Sequence, residues 1–200
     1  MATQSPAHEP ITGGCLCGQV RYTISFPTAD SWPPSSHCCQ CTQCRKALGS
    51  LIAPFLNLPP SNLTWSRPSL PLDSEDPIPP SPFKEFTSSP GVRRGFCGNC
   101  GSTMSFRHEN SAQEIEICTG TVDEKWLIGN RTERVSSEDL AKEGKLEEVC
   151  KEEGGLGKAI AEPRAGYFFW RNAIAGVTDH TTANAKRWVE HTAKGLQIPD

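Results

Sequence analysis

Residues 37–45 read HCCQCTQCR, with four cysteines and one histidine inside eight positions. A chain that crowds thiols in this way crosslinks them, holds a metal through them, or uses one as a reactive group. Two more clusters widen the question: Cys15-Leu16-Cys17-Gly18 and Cys97-Gly98-Asn99-Cys100-Gly101.

Ten cysteines in 200 residues is an even count, as a disulfide scaffold would show. Two observations argue against that option. The stretch MATQSPAHEPITGG contains no apolar core of a secretory signal. Cys15 and Cys17, like Cys39 and Cys41, are also too close along the chain for an easy unstrained bridge. The expected compartment is therefore the cytosol, where thiols stay reduced, and metal coordination is the better account.

Composition narrows the field further. A formal net charge of −3 and the lack of any Lys/Arg run exclude nucleic-acid binding as a main task. No apolar stretch approaches the roughly 18 residues of a membrane helix. A hydrophobic share of 36% with 17 Gly and 17 Pro predicts a loop-rich, mainly β domain.

Working outward from the thiols, GGCLCGQVRYTISF (13–26) reads as a glycine-rich turn and then a strand. Its Val20, Tyr22, Ile24 and Phe26 alternate with polar residues, the period of a half-buried strand. Residues 1–12 are expected to be a flexible tail. Arg45 to Leu48 suggests a short helical turn. SLIAPFLNL suggests a strand with Pro54 at an edge or bulge. Residues 66–82 form a proline-rich loop without periodicity. FKEFTS and VRRGFC read as strands, and TMSFRHE with QEIEICTG as a hairpin. In that hairpin Ile115 and Ile117 point inward, and Cys118 sits on the other face, packed and inert. Residues 131–162 read as a helical insertion, capped at Ser136 or Ser137 and ended by Gly154 and Gly155, with Cys150 as a small apolar residue on it. Residues 165–177 return to strand character. The segment 179–200 places Ala185, Trp188, Val189, Thr192 and Leu196 on one face of a C-terminal helix.

The clusters divide by ligand count. A closed tetrahedral zinc site takes four ligands, usually as two close pairs. Cys15 and Cys17 with Cys97 and Cys100 supply two such pairs from distant parts of the chain, with Gly18, Gly98 and Gly101 placed to expose backbone N–H groups to the thiolates. This set is expected to be a structural zinc site that contributes directly to folding; the alternative is a group of buried free thiols. Cys39, Cys41 and Cys44 supply three thiolates and leave a fourth position open, the pattern of a catalytic zinc. Such a zinc would bind an entering thiol and favour its nucleophilic thiolate form. The alternative here is a metal-free or partly loaded set. Cys38 is expected to point away, and His37 to be an exposed loop residue rather than a fourth ligand. Arg45 and the pair Arg93–Arg94 are candidates to balance the thiolate charge.

Taken together, GGCLCGQVRY, the C-x-C-x-x-C-R motif, GVRRGFCGNCGS and GTVDE resemble the glutathione-dependent formaldehyde-activating enzyme family, which shares a domain with centromere protein V. The resemblance covers roughly 13–50, 86–125 and 165–178. It implies a β-tent fold of small β-sheets around a structural zinc at Cys15, Cys17, Cys97 and Cys100, and a catalytic zinc at Cys39, Cys41 and Cys44. It implies a cytoplasmic carbon–sulfur lyase acting on small molecules, a thiol such as glutathione and an aldehyde such as formaldehyde, to give S-hydroxymethylglutathione. The domain would then span 13–178. The chain departs from the family pattern at Gln40, where histidine is common, at Tyr167-Phe168-Phe169, and in the two inserts. Two other readings remain: a non-catalytic zinc scaffold binding a protein partner, and a biosynthetic enzyme acting on a larger substrate.

Overall fold

The computed structural model describes residues 8–66, 82–111, 113–129, 142, 155–180, 185–190 and 197–198. The fold is mainly β. The strands are β1 (His8–Gly14), β2 (Arg21–Phe26), β3 (Ser35–Cys39), β4 (Ala53–Leu58), β5 (Leu63–Ser66), β6 (Phe83–Ser89), β7 (Val92–Cys97), β8 (Thr103–His108), β9 (Ile115–Cys118), β10 (Gly166–Phe168), β11 (Arg187–Trp188) and β12 (Gln197–Ile198). Three short α-helices accompany them among the described residues: α1 (Thr42–Leu48), α2 (Glu124–Leu127) and α3 (Gly157–Ala161).

Two sheets form. The smaller has the order β1-β2-β5 and is antiparallel throughout. The larger runs β12-β11-β10-β3-β4-β9-β8-β7-β6, with β10 parallel to both β3 and β11 and the other pairs antiparallel.

The alternation of β2 does what its pattern demands. Tyr22, Ile24 and Phe26 are buried and meet Ile11, Leu56, Leu58, Met104, Ile115 and Ile117 in the principal core. Each large apolar side chain buried this way contributes about 1.5–3 kcal/mol. The opposite face of the larger sheet is left to a second cluster, Cys39, Cys44, Ala53, Phe55, Cys118 and Phe168. Cys118 is therefore packed on the face away from Ile115 and Ile117, and burial pushes its thiol up to about 12. A bulge maintains this division in β8. Gly95 pairs with Ser105 but Phe96 pairs with Thr103, so Met104 is the extra residue and turns into the core.

Several expectations change. The tail over 1–12 is corrected at residues 8–12, which belong to β1; Ile11 pairs with Ile24 and is fully buried. Pro54 lies in a central strand, opposite Cys38 of β3, at the end where the ladder to β9 has not begun. A proline is tolerated there because pairing on one side is absent. The helix expected over 179–200 is corrected as well. Its described residues are not helical, and Arg187 and Trp188 extend the sheet beside Tyr167. The helical spacing of Ala185, Trp188 and Val189 loses to a non-local strand pairing that sequence spacing does not register. Most of the proline-rich loop 66–82, most of the insertion 131–162, and Cys150 lie outside the described residues. The end of the insertion, α3, is described, and its Ile160 is fully buried in the principal core.

Candidate metal centres and their cavity

Cys15 and Cys17 stand on the turn between β1 and β2, Cys97 ends β7, and Cys100 stands on the turn from β7 to β8. Both turns are closed by their own backbone, Cys15 N donating to Val20 O at 2.9 Å and Gly101 N to Cys97 O at 2.8 Å. Gly18 at φ 75° and Gly101 at φ 78° take the left-handed conformation these turns need. The four sulfurs lie within 4.8 Å of one another, with Cys15–Cys17 at 3.5 Å and Cys17–Cys97 at 3.8 Å. Four thiolates bound tetrahedrally at about 2.3 Å from a zinc ion stand about 3.8 Å apart, so the group fits one ion. Its donors are also in place: Val20 N to Cys15 Sγ and Asn99 Nδ2 to Cys17 Sγ, both at 3.3 Å. Hydrogen bonds from Ser102, its hydroxyl first, hold the Cys100 thiol down to about 5. The cluster joins the smaller sheet to the larger one.

Cys39 ends β3, Cys41 caps α1, and Cys44 lies in its first turn. Cys41 Sγ accepts the Cys44 N–H at 3.3 Å, which aims both sulfurs at one point. The three sulfurs lie within 4.8 Å of one another. The three thiols share protons unequally. Hydrogen bonds from Cys39 and then Cys44 draw the Cys41 thiol down to about 2, while contacts with Cys41 and then Cys44 raise Cys39. A hydrogen bond from Cys39 lowers Cys44, but the Cys41 thiolate and burial prevail and bring it to about 11. Cys38 is buried on the other face of β3, as strand alternation requires, and takes no part in the cluster.

This second cluster opens onto a cavity of about 780 Å³. Phe55, Phe106, Phe168 and Phe169 line it, with Val92, Arg94, His108, Glu116, Arg171 and Glu190. Of the three candidate arginines only Arg94 faces the thiols. Its Nη2 donates to Cys44 Sγ at 3.4 Å, and its side chain is 2% exposed. Arg93, one residue back, points to the opposite face and pairs with Glu109. Arg45 donates instead to Leu51 O at 3.0 Å and to Gln40 Oε1 at 3.2 Å.

Gln40 stands between Cys39 and Cys41. It is fully buried and turned away from the thiols. Its Oε1 accepts Thr178 Oγ1 at 2.7 Å, and its Nε2 donates to Thr178 O at 3.2 Å. It fastens the thiol loop to residues 172–178.

His37 is corrected: it is not an exposed loop residue. It is 5% exposed on β3 and stacks on Phe168 and Phe55 at ring separations of 4.4 and 5.4 Å. Its Nε2 is 3.6 Å from Glu116 Oε2. Glu116 was not a candidate in the sequence. Two residues from Cys118 on a strand, it had to share that face, and this was the signal that could have found it. Burial, assisted by Glu114, raises its carboxyl to about 8 against the pull of Arg94.

A family model for the glutathione-dependent formaldehyde-activating enzyme matches residues 10–137, which contain all seven clustered cysteines. This chain belongs to that family. The match covers well over half of the 200 residues. No curated protein matches the chain. Among solved structures, a crystal structure of a Rhodobacter sphaeroides protein matches at a TM-score of 0.40 and 18% identity, covering 65% of this chain and 94% of that one. No helix among the described residues of this family member is long and apolar enough to cross a membrane.

Proposed function

We propose that this protein is a cytosolic, zinc-dependent carbon–sulfur lyase that joins a thiol, glutathione first, to a small aldehyde such as formaldehyde, giving S-hydroxymethylglutathione in the manner of its family. The observation that carries this reading is the convergence of Cys39, Cys41 and Cys44 on the wall of a cavity large enough for a tripeptide thiol. In this reading Cys15, Cys17, Cys97 and Cys100 hold the structural zinc of a β-tent, and Cys39, Cys41 and Cys44 hold the catalytic zinc. A zinc held by these three thiolates would supply an electrophilic centre that lowers the pKa of an entering thiol. The chain's own residues do the rest. Arg94 supplies positive charge beside Cys44, the phenylalanines exclude water from the reacting sulfur, and Gln40 with Arg45 keeps the thiol loop in place.

The test is metal analysis of anaerobically purified protein, followed by assay with glutathione and formaldehyde. Two zinc ions per chain are expected in this reading. Cys44→Ser is expected to keep one zinc and lose activity by on the order of 10²-fold or more. A Cys44→Ser protein as active as the wild type removes the mechanism.

A further inference from the structure

We propose that the Glu116 carboxyl is the proton carrier of this cavity: it gives a proton to the electrophile's oxygen as the carbon–sulfur bond forms and takes one from the next thiol to enter. This rests on the thiol-addition reading and adds a catalytic residue to it. The balance is closed. The S–H bond and the carbonyl π bond break, an S–C and an O–H bond form, and no oxidant or reductant is needed. Addition of a thiolate to a carbonyl leaves an alkoxide, and a carboxylic acid held in the cavity can quench it.

The geometry is set by register across the larger sheet. Glu116 on β9 lies opposite Phe106 on β8, which lies opposite Arg94 on β7. Arg94 in turn touches Cys44, so thiols, guanidinium and carboxyl occupy one wall of the cavity. His37 approaches Glu116 from β3 at 3.6 Å. The Glu116 side chain is 15% exposed among phenylalanines, where an apolar residue would cost the fold less.

The groups that bear on its protonation are Glu114 just before β9, Arg94 from β7 and Cys41 from the thiol loop, with His37 of β3 at 3.6 Å; His108 of β8 lines the same cavity. With its carboxyl raised to about 8, Glu116 is an acid at neutral pH and a base once the proton has been given up.

The experiment compares zinc-loaded wild type, Glu116→Gln and Glu116→Asp with glutathione and formaldehyde from about pH 6 to about pH 10. Glu116→Gln is expected to lower kcat by on the order of 10²-fold with zinc content and the KM for thiol unchanged. Wild-type kcat is expected to fall as pH rises through about 8. Glu116→Asp keeps this limb and Glu116→Gln lacks it. Independently of turnover, the infrared difference between wild type and Glu116→Gln should show a protonated carboxyl band at neutral pH that is lost over the same range. If wild type is active and Glu116→Gln matches it in rate and pH profile, or if the carboxyl band is absent at neutral pH, Glu116 is not the carrier and the thiol-addition reading stands. If wild type turns over no thiol–aldehyde pair, the thiol-addition reading fails and the carrier falls with it.

Discussion

Arg94 Nη2 lies 3.4 Å from Cys44 Sγ, which places a buried guanidinium against one of three converging thiols. Its Nε donates to Ser88 Oγ at 3.1 Å, and its Cζ stands 4.9 Å from the centre of the Phe106 ring. Nη1 has no hydrogen-bond partner among the described residues. A cation this deep is stabilised by a nearby anionic group, and the thiol it touches belongs to the candidate metal cluster.

Replacing Arg94 by methionine therefore removes the counter-charge and leaves the thiol spacing intact. Metal affinity at Cys39, Cys41 and Cys44 is expected to fall by roughly 10–100-fold, the usual effect of losing a group that supports metal ligands. Competition against a chromophoric chelator measures it. Affinity at the four-cysteine cluster serves as the internal control and should not change. Unaltered affinity at the three-cysteine site would show that Arg94 does not support it.

The four-cysteine cluster makes a different prediction, because it ties one sheet to the other. Stripping its metal should destabilise the whole fold. A loss of about 4 kcal/mol, a modest share of what a structural zinc supplies, lowers the Tm of a chain this long by roughly 8–16 °C. Calorimetry with and without a strong chelator reads the shift. Cys97→Ser should reproduce it in the presence of zinc, and Cys44→Ser should not. A Tm indifferent to both treatments would remove the joint.

A third prediction concerns acid stability. Asp123 accepts a paired contact from Arg21, with Nη1 at 2.9 Å, and also the Thr12 hydroxyl, thereby binding β1 and β2 to the start of α2. Burial alone would raise its carboxyl, but the Arg21 hydrogen bonds prevail and hold it below the ordinary aspartate value. A depressed folded-state pKa stabilises the fold above the unfolded pKa of about 3.9 and is lost as pH falls through the lower folded value. Asp123→Asn should cost about 1–2 kcal/mol at neutral pH, in the range of a charged hydrogen-bonded pair that is partly exposed. Urea unfolding of both proteins across the acid range should show the difference closing below about pH 4. A gap that stays constant with pH would mean that the pair does not act through its charge.

Much of the site was legible because it depends on short spacings. A C-x-C pair beside a glycine turn and a C-x-x-C pair opening a helix place their sulfurs by local backbone geometry, and the structure brings together the same seven residues. The period-2 pattern of β2 likewise named Tyr22, Ile24 and Phe26 as core before any partner strand was known. The hairpin of β8 and β9 gave Ile115 and Ile117 the inner face and Cys118 the outer one in the same way. The pair Arg93–Arg94 was only half legible: alternation says that one of the two faces the thiols, and nothing local says which.

The sequence alone determined which atoms could grasp a metal and which strand faces are apolar, since both follow from the pitch of a backbone over a few residues. Only the tertiary structure decided that His37 is sandwiched between Phe55 and Phe168, that Glu116 and Arg94 share a wall with the thiols, and that Arg187 and Trp188 form a strand instead of a helix. Each of those outcomes depends on strand partners and registers between separate segments of the chain, and at Met104 on a single extra residue that shifts one ladder by a step. Long-range pairing of this kind is fixed by the summed burial of whole faces, a quantity that no short window of residues contains.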